Sequence, residues 1–304
     1  MKILITGATG FIGQNFLRFI SENQLVNTED IILLSSKQIE PYTCIPHNNY
    51  TFTKEAFINA GISKIDVVLH MGAFTPKSGS EANDIIRTTE NITNTIHLLN
   101  NLPSIPKKII NISTLDVYGT ESIITEETIP NPVSLYGFSK LYCEQVVQQH
   151  SLQNGIECHT LRLGHIYGPG EEDYQKLIPV TVRKILRNEE PVIFTDGLEL
   201  RSFIYITDCC RAIWKSFNLN EDVGPINIVS NTPASVKTIV ETLISISGKC
   251  LDVQILNKNM PVRNLVFNAD KMSRYLCPEE ETLTSGLEKE YRYMCSLHEK
   301  GLLS

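Results

Sequence analysis

Short apolar runs alternate with amphipathic stretches along the first half of the chain. The runs predicted as strands lie at residues 2–6, 31–34, 66–70, 108–112 and 156–163. The stretches predicted as helices lie at 11–20, about 81–101 and about 134–152. Continuously apolar strands are typical of parallel sheets that are covered on both faces. The alternation therefore predicts an α/β fold, a doubly wound parallel sheet of the Rossmann-like type.

The pattern changes after residue 165, where the chain becomes rich in glycine and turn-forming residues. The later segments predicted as regular structure are helices at 177–186 and 208–217 and strands at 192–194, 203–206, 226–229 and 251–256. We expect two domains from this change. Residues 1–165 plus about 202–230 would form a cofactor domain, and about 166–201 plus 231–304 a smaller C-terminal α/β substrate domain.

Three glycines separate the first predicted strand from the first predicted helix. Gly7, Gly10 and Gly13 follow the spacing G-x-x-G-x-x-G, which differs from the commoner G-x-G-x-x-G. Glycine tolerates positive φ and lets the backbone approach a diphosphate at a helix N-terminus. The triplet favours a dinucleotide site, although glycines also occur in tight turns that bind nothing.

The end of the second predicted strand is where a dinucleotide-binding fold meets the adenosine ribose. An Asp or Glu there binds the ribose hydroxyls of NAD, but this chain has Ser35, Ser36 and Lys37. Hydroxyls and a cation suit the 2′-phosphate of NADP, so NADP(H) is favoured as cofactor. The alternative is that these are solvated loop residues and that NAD(H) binds without the acid.

Tyr136 and Lys140 stand four residues apart in a segment that is predicted to be helical. Four residues advance a helix by roughly 6 Å and about one turn, so both side chains lie on one face. A neighbouring ammonium stabilises a phenolate and lowers its pKa, which predicts a proton-transferring tyrosine. The alternative is a pair of surface residues at a common spacing.

Composition narrows the classes of function. The chain has 304 residues, of which 42% are hydrophobic and 20% charged, and its net charge of −7 argues against a nucleic-acid surface. It contains no apolar run of 18 residues, and its first ten residues do not resemble a signal peptide. We therefore expect a cytoplasmic protein that contacts no membrane.

Metal binding is not predicted. The eight cysteines include no C-x-x-C pair, and the seven histidines include no H-x-x-x-H spacing. Most cysteines are expected to be free thiols in a reducing compartment.

Seven stretches occur in an order that is shared with a known family. They are TGATGFIG (6–13), DVVLHMGA (66–73), ENITNT (90–95), STLDVYG (113–119), PVSLYGFSK (132–140), LRLGHIYGPG (161–170) and RSFIYITD (201–208). The chain resembles the extended short-chain dehydrogenase/reductases, specifically their sugar-nucleotide epimerases, dehydratases and ketoreductases. The resemblance runs from residue 1 to about residue 269.

The resemblance implies a set of cofactor contacts. Residues expected to hold the cofactor are Gly7, Gly10, Phe11, Ile12, Gly13, Ser35, Ser36, Lys37, Met71, Gly72, Ala73, Asn91, Tyr136, Lys140, Leu163 and Gly164. Lys140 would bind the nicotinamide ribose and lower the pKa of Tyr136. Asn91 could instead be an exposed helical residue.

The resemblance also implies the catalytic and substrate residues. Thr114, Tyr136 and Lys140 match the family's catalytic positions. The residues expected to contact a nucleotide-linked sugar are Thr75, Thr114, His165, Lys176, Arg201 and Arg263. The two arginines would bind phosphate oxygens, or they could form surface ion pairs.

Two positions depart from the family's dehydratases, which carry Asp-Glu after the catalytic threonine. Here these positions are Leu115 and Asp116, and leucine cannot transfer a proton. We expect an NADP(H)-dependent reductase of a 4-keto-6-deoxyhexose nucleotide, with Tyr136 as proton donor at C4. The alternatives are an NAD-dependent nucleotide-sugar 4-epimerase and a non-catalytic NADP-binding protein.

The family commonly forms homodimers through a four-helix bundle. The resemblance therefore implies a homodimer built from helices 81–101 and 134–152, both of which carry apolar residues. Those residues could equally face the sheet of their own chain.

Overall fold

The computed structural model describes residues 1–119, 121, 123–258 and 264–303. The described strands are β1 (Ile3–Thr6), β2 (Ile31–Ser35), β3 (Thr43–Pro46), β4 (Val67–His70), β5 (Lys108–Thr114), β6 (Ile123–Ile124), β7 (Glu157–Leu163), β8 (His165–Tyr167), β9 (Val192–Ile193), β10 (Leu200–Arg201), β11 (Phe203–Tyr205), β12 (Ile226–Ile228), β13 (Ala234–Ser235), β14 (Gln254–Ile255) and β15 (Val266–Phe267). The described helices are α1 (Phe11–Glu22), α2 (Lys54–Asn59), α3 (Ile85–Asn100), α4 (Leu135–Asn154), α5 (Leu177–Leu186), α6 (Ile206–Ser216), α7 (Val236–Ser247), α8 (Asp270–Tyr275) and α9 (Leu283–Glu299).

Seven strands form one parallel sheet in the order β3-β2-β1-β4-β5-β7-β12. β1 lies between β2 and β4, and all four of its residues are buried. Helices cover both faces of the sheet, which explains why these strands are continuously apolar. The predicted doubly wound α/β class is confirmed.

The chain changes direction across the sheet between β1 and β4. It runs outward from β1 through β2 to β3 and then returns to β4 on the other side of β1. In such sheets ligands bind at the carboxyl ends of the strands where the order reverses. The residues that follow β1 and β4 therefore mark the expected site.

α3 begins later than the sequence predicted. Residues 79–83 form a 3-10 turn, and the α-helix starts at Ile85 because the Asp84 side chain accepts a hydrogen bond from the Arg87 N–H. This is a local N-cap, which ends the preceding turn and starts the helix. β3 and α2 were not predicted at all, since both are short and β3 is only partly buried.

The segments after residue 165 pack onto the same core as the sheet. α5, α7 and α9 pack against one another, and α9 also contacts β11. Buried residues of these helices and of the sheet form one continuous hydrophobic cluster. The boundaries of the two domains stay a prediction. Within the described residues, no helix has the length and apolar character that crossing a bilayer requires.

Candidate active site

The turn between β1 and α1 is built from close backbone contacts. Gly7 has a φ of +74°, and a Cβ on Gly13 would lie 2.2 Å from the Gly7 carbonyl oxygen. Only glycine fits at either position, because the atoms that a side chain would meet belong to the backbone. Gly10 is under less constraint, since its Cβ would lie 3.4 Å from the same oxygen.

This turn leaves the N-terminus of α1 open at the carboxyl edge of the sheet. Gly10 precedes the helix, and no described side chain caps it. The N–H groups of the first helical turn and the helix dipole together attract phosphate oxygens. Phe11 and Ile12 start this turn, so the residues fit the expected diphosphate of a dinucleotide.

The ends of β1 and β4 are joined beside that turn. The Gly72 N–H donates to Thr6 Oγ1 over 2.8 Å, and a Cβ on Gly7 would lie 2.7 Å from the Gly72 nitrogen. Met71, Gly72 and Ala73 are only partly buried. The expected cofactor residues of β1 and β4 therefore line one groove.

The end of β2 shows a local turn. Ser35 is buried, and its Oγ accepts the Lys37 N–H over 3.1 Å, whereas Ser36 and Lys37 are exposed. Of the three residues expected to bind a 2′-phosphate, Ser35 thus uses its hydroxyl to accept a backbone hydrogen bond within this turn.

Thr114, Tyr136 and Lys140 lie together under the carboxyl ends of β5 and β7. Their exposed fractions are 8%, 6% and 4%. The hydroxyls of Thr75 and Thr114 lie close enough to Tyr136 to lower its pKa. The Lys140 ammonium donates to the Ile112 carbonyl over 2.7 Å. The structure thus brings the predicted catalytic residues and Thr75 together.

The electrostatics of the pair differ from the sequence-based expectation. Burial, followed by the negative charge of Asp116, raises the pKa of Tyr136, while the hydroxyls of Thr75 and Thr114 act in the opposite direction. Burial also lowers the pKa of Lys140. The expected lowering of the Tyr136 pKa by Lys140 is wrong for this arrangement, because desolvation of the phenolate dominates. Tyr136 is therefore protonated at neutral pH, and its role as a proton donor stays a prediction.

The position of α4 follows from its first turn. The Ser134 hydroxyl accepts the Gly137 N–H over 3.1 Å and caps the helix. A Cβ on Gly137 would lie 2.2 Å from the Asp116 carbonyl oxygen. Glycine at this position lets α4 approach the segment that follows Thr114.

Asn91 positions a loop. Its Oδ1 accepts the Phe74 N–H over 2.7 Å, and its Nδ2 donates to the Phe74 carbonyl and to Ser139 Oγ. The side chain is 3% exposed. These contacts hold the loop that carries Thr75, and the contact of Asn91 with the cofactor stays a prediction.

His70 lies in the same buried layer as Asn91. Its Nδ1 is 2.9 Å from Thr6 Oγ1, and its Nε2 is 3.0 Å from Thr95 Oγ1. Burial, with a smaller effect of the Lys140 charge, lowers the pKa of His70 to about 3. The imidazole is therefore neutral, and it links the end of β4 to β1 and α3.

The remaining predicted residues that the structure describes lie on β7, β8 and β10 and on the segments next to β7 and α5. Leu163 ends β7, Gly164 follows it and His165 begins β8, and Gly164 packs against Leu115 and Val229. Lys176 precedes α5, with its Nζ 4.5 Å from the centre of the Tyr174 ring. Arg201 lies on β10 and donates to the Leu200 carbonyl. Arg263 lies outside the described residues.

A sequence profile of the NAD dependent epimerase/dehydratase family matches residues 3–229. The chain belongs to this family. The resemblance to the extended short-chain dehydrogenase/reductases is thereby confirmed.

Individual epimerase/dehydratase family members are similar over nearly the whole chain. An uncharacterized UDP-glucose epimerase of Bacillus subtilis is 28% identical, over 98% of this chain and 99% of its own. The structure of UDP-glucuronic acid 4-epimerase from Bacillus cereus, solved with UDP-glucuronic acid and NAD, has a TM-score of 0.82 at 27% identity and covers 98% of this chain and 100% of its own. GDP-6-deoxy-D-talose 4-dehydrogenase of Aggregatibacter actinomycetemcomitans is 25% identical, over 84% of this chain and 83% of its own.

Several residues around Tyr136 were not predicted from the sequence of this chain. The Phe74 and Tyr136 rings meet edge to face with their centres 6.4 Å apart, and Tyr174 is close enough to affect the pKa of Tyr136. No periodic signal marks either Phe74 or Tyr174. Glu144 was also missed, although it continues the four-residue spacing of Tyr136 and Lys140 along α4.

Replacing Gly13 with alanine should disrupt the turn between β1 and α1. The new Cβ would meet the Gly7 carbonyl at 2.2 Å, so we expect a stability loss of about 1–3 kcal/mol and at least tenfold weaker NAD binding. Thermal melting and calorimetric titration with NAD measure both effects. Gly79→Ala is the matched control, since nothing lies within 4 Å of its Cβ. Equal behaviour of the two variants would contradict the assignment.

His70 should make the stability of the fold depend on pH. Its folded pKa of about 3 lies below the ordinary value of 6.5, so only the unfolded state takes up the proton between these values. Stability is therefore complete above about pH 6.5, and as pH falls it should decrease by about 1 kcal/mol per pH unit more than in His70→Gln. Urea unfolding at several pH values tests this expectation. The two proteins should respond in parallel above pH 7.5, and parallel curves between pH 4 and 6.5 would refute it.

Proposed function

We propose that the chain is an NAD-dependent nucleotide-sugar 4-epimerase. The observation that carries the proposal is the buried position of Tyr136 beside the hydroxyls of Thr75 and Thr114, which influence its pKa, at the edge of the sheet that also holds the glycine turn. This position supports our proposal of a proton-transferring phenol near the carboxyl ends of β4 and β5, which are neighbours in the sheet.

The comparisons support an epimerase more than the reductase that the sequence favoured. The Bacillus subtilis relative is named a UDP-glucose epimerase, and the Bacillus cereus structure is a 4-epimerase solved with NAD. Both match almost the full chain. We therefore propose a UDP-linked hexose as the substrate class.

NAD is the cofactor we propose, because the residues present fit its diphosphate and nicotinamide ribose. The open helix N-terminus after Gly10 would hold the diphosphate, and Lys140 would move from the Ile112 carbonyl to the ribose. When bound, the nicotinamide supplies reversible redox chemistry at C4 of the sugar.

Tyr136 would exchange one proton with the C4 oxygen of the sugar. Its raised pKa suits the return of a proton to an alkoxide, and a cation brought near the phenol would lower that pKa for the reverse step. The hydroxyls of Thr75 and Thr114 would orient the same oxygen. Burial of Thr114, Tyr136 and Lys140 would keep bulk water from the reacting carbon.

A reductase that uses NADP(H) on a 4-keto-6-deoxyhexose nucleotide is the second candidate. Two observations favour it: β2 ends in Ser35 with no carboxylate, and one relative is a 4-dehydrogenase of a 6-deoxyhexose nucleotide. A dehydratase is disfavoured, since Leu115 is buried against Gly164 and its side chain has no group that can transfer a proton. A cytoplasmic location stays a prediction.

Turnover without added cofactor separates the candidates. The purified protein should convert UDP-glucose to UDP-galactose with no net change in nicotinamide absorbance. Tyr136→Phe should lower this rate by about 100-fold or more, because the proton acceptor is lost. Tyr142→Phe is the matched control, since it removes an exposed phenol from the same helix.

Four results would count against the epimerase or against the role of Tyr136. Stoichiometric consumption of NADPH with a 4-keto-6-deoxy sugar nucleotide would establish the reductase. Loss of a 6-hydroxyl as water would establish a dehydratase. Unchanged turnover in Tyr136→Phe would refute the proposed role of Tyr136, and binding of a cofactor with no turnover of any sugar nucleotide would establish a non-catalytic protein.

We also propose a homodimer through α3 and α4. α4 buries Tyr136, Lys140 and other polar residues against the sheet while Phe138 and Tyr142 are each 54% exposed. α3 similarly exposes Ile85 and Ile86 near its start. Apolar residues on the outer side of two adjacent helices are typical of a protein interface.

A charge on the outer face of α4 should separate the subunits. Phe138→Asp is expected to shift the sedimentation coefficient from that of a dimer to that of a monomer, since burial of an unpaired carboxylate is costly. Ile58→Asp on α2 is the matched control, because Ile58 is also 54% exposed. A wild-type protein that sediments as a monomer at micromolar concentration would contradict the proposal.

A further inference from the structure

One face of α4 carries a third buried ionisable residue. Tyr136, Lys140 and Glu144 follow one another at four-residue intervals, and Glu144 is 5% exposed. A buried carboxylate is costly unless it is paired and hydrogen-bonded. The partners of the Glu144 carboxylate therefore indicate what its burial contributes to the structure.

Glu144 forms a two-bond ion pair with Arg162 of β7. Arg162 Nε donates to Glu144 Oε1 over 3.0 Å, and Arg162 Nη2 donates to Oε2 over 2.7 Å. This fork geometry fixes both the distance and the rotation of the two groups. It attaches the third turn of α4 to β7.

The pair continues into the segment that follows Thr114. Arg162 Nη1 donates to the Tyr118 hydroxyl over 2.8 Å, and that hydroxyl donates to Asn227 Oδ1 over 2.9 Å. The guanidinium also lies 4.9 Å from the centre of the Tyr118 ring. One chain of polar contacts thus joins α4, β7, the segment that follows β5, and β12.

Lys140 makes the other polar attachment of this face, through the Ile112 carbonyl of β5. A helix that is held at two points on neighbouring strands cannot rotate about its axis. The proposed function assigns the Lys140 ammonium to the cofactor ribose. Glu144 is then the attachment that stays in place during the reaction.

We propose that Glu144, held by Arg162, is a positioning residue that sets the orientation of the catalytic face of α4. Tyr118 extends the same constraint to the segment behind Thr114. The inference rests on the proposed function only in that the positioned groups are Tyr136 and Lys140. Neither Glu144 nor Arg162 is proposed to touch the substrate.

Glu144→Gln keeps the shape of the side chain and removes its charge. We expect kcat to fall by roughly 10–100-fold, the scale of a small misplacement of a catalytic group, while KM for the nucleotide sugar and the amount of bound NAD change less than about twofold. Arg162→Gln should have the same effect. The double variant should lose no more kcat than either single variant, because the two residues act as one unit.

Glu157→Gln is the matched control. Glu157 is also on β7 and pairs with the buried Lys108 over 3.2 Å, but it lies at the opposite end of the strand from the catalytic residues. It should lower the thermal midpoint and leave kcat unchanged. Amide exchange of α4, measured with NAD present, should increase in Glu144→Gln and stay as in wild type in Glu157→Gln.

Specific results would overturn the inference. Native kcat in Glu144→Gln, with a loss of thermal stability like that of Glu157→Gln, would make the pair purely structural. If Glu144→Gln does not fold, Tyr118→Phe removes a single hydroxyl, and an unchanged kcat there would refute the network. Absence of wild-type turnover would refute the proposed function instead, and the amide exchange of α4 would then decide between positioning and no effect.

Discussion

The candidate catalytic centre depends on a helix that buries its polar face. α4 places Tyr136, Lys140 and Glu144 against the sheet and leaves Phe138 and Tyr142 in solvent. An ordinary surface helix does the reverse. The desolvation of these polar groups is offset by the Ile112 carbonyl and by Arg162, and the arrangement therefore exists only where β5 and β7 supply those partners.

The opposite side of the cleft is held by backbone contacts. Gly7 and Gly13 allow β1 to turn directly into α1, and Gly72 joins β4 to the same turn. Below them, neutral His70 links two threonines of different elements. Rigid backbone on this side and ionisable side chains on the other fit the proposed division between cofactor binding and proton transfer.

The same helices connect catalysis to the proposed assembly. α3 supports the loop of Thr75 through Asn91 and packs beside α4. A second subunit packed on their outer surface would cover the apolar residues that these two helices expose to solvent. The inner face would then be clamped between the sheet and the partner, which agrees with a reaction that needs a fixed tyrosine.

The sequence by itself determined the parallel sheet, the glycine turn, the family and the grouping of Thr114, Tyr136 and Lys140. The sheet, the glycine turn and the Tyr136–Lys140 pair follow from local patterns: continuously apolar strands, glycines at fixed spacing and two residues one helical turn apart. The family and the grouping of Thr114 with this pair follow from seven stretches that resemble the family's motifs. The raised pKa of Tyr136, the use of Asn91 by a loop and the Glu144–Arg162 pair were decided by tertiary structure. Each depends on burial or on a partner from a distant segment. Spacing along the chain carries no information about such partners.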